Sequence, residues 1–193
     1  MPRQPAPDTR DRILDNACRL FADHGVRAVG LQQIIDETGC GKNLLYREFA
    51  NKDELVAAWL ARVQDDWRAS TDEVVAAHPG DPMGQMLALV RNTVDDVSKP
   101  GYRGCCSRNT YAEFPDPDHA VHRLATGHVE EIRLRLVDLA KDAGARDPEA
   151  LGNRLMLIVD GVVTNGMVLG GEGAASEAVA FAEDVITAAL PPA

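Results

Sequence analysis

Lys42, Asn43 and Arg47 fall within one short stretch of helical pattern, and all three are side chains that read base edges. Lysine or arginine donates to guanine O6 and N7, and asparagine pairs with adenine N6 and N7. Leu44 offers an apolar contact for a thymine methyl. Tyr46 carries a hydroxyl on a rigid ring, suited to a phosphate oxygen. Lys52 opens the next helix and places a cation beside backbone N–H groups that have no intrahelical acceptor, an arrangement that favours phosphate. Gly30 and Gly41 stand where two short helices begin, and Gln32 lies just inside the first of them. Gly30, Gln32, Gly41, Lys42, Asn43, Leu44, Tyr46, Arg47 and Lys52 are therefore the expected contacts to double-stranded DNA. Glu48 works against phosphate unless it accepts from cytosine N4 or pairs with Arg47.

Such a set needs rigid, short elements to present it. Residues 9–24 place Ile13, Leu14, Ala17, Leu20 and Phe21 on one helical stripe, with Asp8 or Thr9 as cap and Gly25 as the left-handed stop. A short helix from Leu31 to Thr38 turns Leu31, Ile34 and Ile35 inward. Gly39-Cys40-Gly41 makes a tight turn, and a second short helix runs from Lys42 to Phe49 with Leu45 and Phe49 toward the core. Three helices joined by glycine-containing turns are the outline of a helix-turn-helix, whose last helix enters the major groove. A long fourth helix follows, capped by Asn51, with the stripe Leu55, Val56, Trp59, Leu60, Val63 and Trp67, and it runs to about His78.

The string from Gly39 to Leu55 closely resembles the "G-V-S-K-G-T-L-Y-x-H-F-x-S-K-E-x-L" pattern of TetR-family DNA-binding domains, and Arg12 to Gly25 and Ile34 fall at matching spacing. The match covers about a quarter of the chain through many fixed positions. Departures lie at Gly30 and Gly41, where the family usually has Ser or Thr, and at Leu44 and Glu48, which replace a common Thr and His. Glycine caps a helix but lacks the oxygen that can also touch phosphate. The resemblance implies a homodimeric, ligand-responsive transcriptional regulator, by default a repressor, that binds palindromic operator DNA through the helix 42–49. It also implies a C-terminal helical body that binds a small molecule and forms the dimer.

The bulk numbers agree with a soluble globular protein: 45% hydrophobic and 26% charged residues. A net charge of −10 argues at first against nucleic acid. The charge is uneven, however. Residues 1–55 carry 8 Lys/Arg and 9 Asp/Glu, and residues 56–193 carry 12 and 21. DNA needs a local basic face, not a basic protein. No run of apolar residues is long enough to span a bilayer, and Met1–Asp8 has no apolar signal core, so a cytoplasmic, nucleoid-associated protein without membrane contact is expected.

Beyond Pro79-Gly80-Asp81-Pro82 the pattern stays helical, at about 83–98, 104–114, 118–143, 148–169 and 175–190. The fold class is all-α with about nine helices: a helix-turn-helix domain over 1–50, its motif at about 30–49, and a ligand-binding and dimerisation domain over 51–193. The 148–169 helix is apolar on several sides, so it is buried in a core and against a partner. Gly161 and Gly166 permit close helix approach. With the last helix it predicts a two-fold seam containing Val159, Val163, Met167, Phe181 and Val185.

Gly104 to His119 resembles a segment found in one group of TetR-like C-terminal domains. Cys106, Asn109 and Glu113 share a helical face and, if it turns inward, become candidate ligand contacts, as does Asp160 in its apolar helix. Asp116, Asp118, His119 and His122 have a spacing that suits metal, but a capped turn at a helix start explains them better, and no metal or cofactor is expected. No acid–base pair, nucleophile arrangement or phosphate loop marks an enzyme. Two alternatives stay open: a helical interaction protein that has lost DNA binding, and a thiol-based redox sensor using Cys105 and Cys106 beside Arg103 and Arg108.

Overall fold

The helical periods of the sequence are realised almost throughout the computed structural model, which describes residues 9–191. Among the described residues there are nine α-helices and no strand. In chain order they are α1 (Thr9–His24), α2 (Leu31–Thr38), α3 (Lys42–Glu48), α4 (Lys52–Ala76), α5 (Pro82–Val97), α6 (Cys106–Glu113), α7 (Ala120–Asp142), α8 (Pro148–Leu169) and α9 (Ala178–Ala189), with a 3-10 helix at Gly173–Glu177.

Local chemistry sets the helix ends. The Asp81 carboxylate accepts the Gly84 N–H at 2.9 Å and the Asp147 carboxylate accepts the Ala150 N–H at 3.0 Å. A proline at the start of each helix, Pro82 and Pro148, loses no hydrogen bond there. Asn51 accepts the Glu54 N–H at 2.9 Å while Glu54 reaches back to the Ala50 N–H at 2.8 Å, which fixes the start of α4. Several ends differ from the sequence expectation, among them the end of α4, at Ala76, and the start of α7, at Ala120. Phe49 is extended (φ −141°, ψ 114°) and closes α3 with its N–H still donating to the Leu45 carbonyl. Gly104 has φ +89°, so α6 starts later, at Cys106. Residues 173–177 tighten into the 3-10 helix, so α9 starts at Ala178.

The described chain divides into two compact units. The first comprises the chain through Asp65 together with Cys106–Thr126. Its core gathers Ile13, Leu20 and Phe21 of α1, Ile34 of α2, Leu45 of α3 and Phe49, with Leu55, Trp59 and Leu60 of α4 and Val121 of α7. Phe21 and Trp59 meet edge to face at 5.3 Å. The first half of α4 packs into this core, so the compact unit runs past residue 50 to Asp65.

The second unit comprises Asp66–Cys105 and the chain from Gly127 on. Met86, Leu89 and Val90 of α5 pack there with Leu136 of α7, Leu155 and Val162 of α8, and Ala182 and Ile186 of α9. Gly166 lets α8 lie directly on α5, since a Cβ there would fall 2.4 Å from the Val97 Cβ. Gly161 has open space instead. Arg68 grips Glu131 with two bonds of 2.5 and 2.8 Å, and the buried His128 ring sits 3.3 Å from the same carboxylate, edge-on to Trp67. The Arg68 bonds, partly opposed by burial, hold the Glu131 carboxyl below its usual range. A lowered folded value means that this pair stabilises at neutral pH and that the benefit fades as pH drops through that value. Glu131→Gln is accordingly expected to cost about 0.5–1 kcal/mol at pH 7, a figure reduced for solvent screening of a half-exposed pair. The difference from wild type should vanish in urea melts well below the ordinary glutamate value.

Candidate nucleic-acid interface

α3 is a seven-residue helix, and its two faces are sharply different. Leu45 and Phe49 are fully buried and anchor it to the first unit's core. Lys42, Asn43, Tyr46 and Arg47 are exposed on the other side, with Leu44 half-buried between them. The Lys42 ammonium stands 5.9 Å from the Tyr46 ring centroid, so cation and ring share one surface. Arg47 lies 3.8 Å from Glu48, which offsets the carboxylate that counted against phosphate. Arg10 stacks on the Phe49 ring at 4.1 Å and donates to the Glu48 carbonyl, adding a cation at the end of α3. Sequence reasoning missed Arg10, because its partner lies 38 residues away and no local pattern links the two.

The turn that presents α3 depends on glycine. Gly39 has φ +65° and closes α2 with its N–H on the Asp36 carbonyl. Gly30 and Gly41 cap α2 and α3 in extended conformation, both exposed and both without a side-chain cap bond. Gln32 is exposed on α2 and donates to Asp36 at 2.8 Å. Arg12 donates to the Thr38 carbonyl at 3.0 Å and Arg19 pairs with Glu37 at 2.7 Å, fastening α2 to α1. Lys52 is half-buried at the start of α4. Burial pushes its ammonium below the usual lysine range, against the pull of the Glu113 and Asp53 carboxylates.

Cys106, Asn109 and Glu113 belong to the first unit and Asp160 to the second. Asn109 is exposed, and Cys106 packs half-buried against the first unit's core. The Glu113 carboxylate accepts the N–H groups of Val26 at 3.0 Å and Arg27 at 2.5 Å, so its partners are backbone groups of the turn before α2. The nearby acids and histidines act as turn and helix-end groups. Asp116 accepts the Asp118 N–H at 2.9 Å, a His122 ring nitrogen lies 2.7 Å from the Phe114 carbonyl, and a His119 ring nitrogen lies 3.2 Å from Asp53. Cys105 and Cys106 are half-buried and not disulfide-bonded.

α8 and α9 carry an apolar face on the second unit. Leu157 is 71% exposed and Phe181 58%, and they border an open groove of about 440 Å³ with Ile158, Gly161, Val162 and Val185. Of the expected seam residues, Phe181 and Met167 are exposed and Val163 and Val185 half-buried, while Val159 turns into the core. Leu157 was missed, because a helix apolar on several sides gives no phase from which to choose its outer face. No helix among the described residues is long and apolar enough to cross a membrane.

Comparison with known proteins bears on the same regions. The model of bacterial regulatory proteins of the tetR family matches residues 13–59, which span α1 to the first turns of α4. The HTH-type transcriptional activator FasR of Mycolicibacterium smegmatis is 38% identical over 163 residues, covering 83% of this chain and 70% of that protein. The HTH-type transcriptional repressor ComR of Escherichia coli is 39% identical over 134 residues, and the match spans 67% of this chain and 63% of ComR. The crystal structure of SCO4454, a TetR-family transcriptional regulator from Streptomyces coelicolor, superposes with a TM-score of 0.90 at 31% identity, covering 95% of this chain and 97% of that one.

Proposed function

The chain belongs to the tetR family of bacterial regulatory proteins, and from that premise we propose that it acts as a homodimer that binds palindromic operator DNA through residues 42–49 and is released or engaged by a small-molecule effector. The observation that carries this is the two-faced α3, with Leu45 and Phe49 buried beneath exposed Lys42, Asn43, Tyr46 and Arg47. Anchoring residues on one side and base-reading residues on the other are what a helix in the major groove requires. The proposed output is repression by occupation of the operator. Among the relatives, ComR is named a repressor and FasR an activator.

In this reading Gly30, Gln32, Gly41, Tyr46 and Lys52 position the head on phosphates, and Lys42, Asn43, Leu44 and Arg47 read bases. The α8–α9 face pairs with its copy about a two-fold axis, and the cytoplasm is the site of action. The effector belongs with the helices of the second unit. The protein performs no catalysis of its own.

Salt titration of operator binding tests the reading. Affinity should fall steeply and linearly in log salt. Lys52→Ala should lower that slope by about one and leave sequence preference unchanged, as removal of one phosphate contact requires. An unchanged slope would remove Lys52 from the interface.

A further inference from the structure

The α2–α3 hairpin is bracketed at both ends by one distant segment, Glu113 to His122. On one side, Glu113 binds the turn that leads into α2. Its two carboxylate oxygens accept the Val26 and Arg27 N–H groups at 3.0 and 2.5 Å, and its carbonyl accepts from the Arg27 guanidinium at 2.6 Å. The approach is close enough that a Cβ on Gly25, where φ is +82°, would stand 3.0 Å from the carboxylate. On the other side, His119 meets Asp53 in the first turn of α4 at 3.2 Å. Phe114 ties the two contacts together, with the Arg27 guanidinium 5.7 Å and the His119 ring 4.9 Å from its own ring. His122 holds the Phe114 carbonyl at 2.7 Å, and Val121 is in the first unit's core.

We propose that Glu113 is a positioning residue for DNA binding: it fixes the turn before α2 and thereby the angle at which α3 is offered to the groove. This rests on the reading of α3 as the DNA-contacting helix. Backbone N–H groups at such a turn are satisfied by water in the absence of the carboxylate, so the turn is free to adopt other conformations. Glu113 is an acid close enough to the phosphate-site candidate Lys52 to act on its charge. By charge alone, neutralising it should tighten DNA binding. Positioning predicts the opposite sign.

The test compares full-length Glu113→Gln and Glu113→Asp with wild type, using a DNA fragment selected by the wild-type protein, at fixed salt and well below the melting temperature. Both variants are expected to bind about tenfold more weakly, the scale of a lost charge-assisted hydrogen bond. The glutamine variant loses one of the two strong acceptors, and the aspartate variant falls short by one methylene. Amide exchange at Val26 and Arg27 should speed up in both. Wild-type or tighter binding by Glu113→Gln, with wild-type affinity for Glu113→Asp, would make Glu113 a merely electrostatic neighbour and overturn the proposal. The exchange measurement needs no DNA. If wild type selects no sequence, the DNA-binding reading fails. Unaltered exchange at Val26 and Arg27 would sink the positioning role on its own terms.

Discussion

Phe181→Asp is expected to turn the protein into a monomer and to lower its affinity for a palindromic operator by about 100-fold or more. The side chain is 58% exposed on α9, beside Leu157 at 71%, around an apolar groove of about 440 Å³. A contiguous apolar patch of this kind marks an interaction surface. Under two-fold symmetry each copy buries its own phenylalanine, and each full burial is worth about 1.5–3 kcal/mol. An aspartate in its place leaves two uncompensated charges in the seam. The fold itself should hardly notice, because Ala182 and Ile186 carry the inward face of α9. A monomer meets one half-site at a time and forfeits the gain in effective concentration, while half-site affinity stays near that of wild type. Sedimentation together with anisotropy on full and half operators reads both effects. A variant that remains dimeric would move the seam elsewhere.

Phe49→Ala is expected to abolish DNA binding at 37 °C while leaving the protein dimeric and largely helical. Phe49 is fully buried in the first unit's core and also forms the platform for Arg10 at 4.1 Å. Truncating a buried phenylalanine costs about 3–5 kcal/mol, a large share of the stability of a small domain. The second unit has a separate core of α5, α7, α8 and α9 residues, so it should keep its helices and its seam. Circular dichroism should show a partial loss of helix, with hydrogen exchange raised over α1–α3 and unchanged over α8. Retained operator affinity would mean that α3 does not depend on this anchor.

How much could be read in the sequence varied with the range of the interaction. α8 begins and ends where apolar period, cap and glycine place it, and α1 ends before Gly25 as its pattern requires, because these signals act within one turn of helix. The Asp8 cap expected for α1 lies outside the described residues. The inward side chains of α3 were equally legible. The extended backbone of Phe49 was not, since the side chain faces the core in either conformation and only the following turn decides between them. The parting of the two compact units within α4 leaves no mark in the sequence, because the stripe from Leu55 to Trp67 continues unbroken while its packing partners change. Cys106, Asn109 and Glu113 do lie on one helix, but what meets Glu113 is a turn more than 80 residues earlier, and periodicity carries no trace of such a pairing. By contrast, the Arg47–Glu48 pair joins neighbouring residues and was one of the two roles open to Glu48 in the sequence.

Sequence-specific DNA binding by a dimer is tested by a footprint on the best fragment selected from genomic DNA by the purified full-length protein. A protected palindrome is predicted, with half-site centres one helical turn, about 34 Å, or a multiple of it apart. Failure of a folded dimer to select any sequence, even at low salt, would mean that the protein is not a sequence-specific DNA-binding dimer.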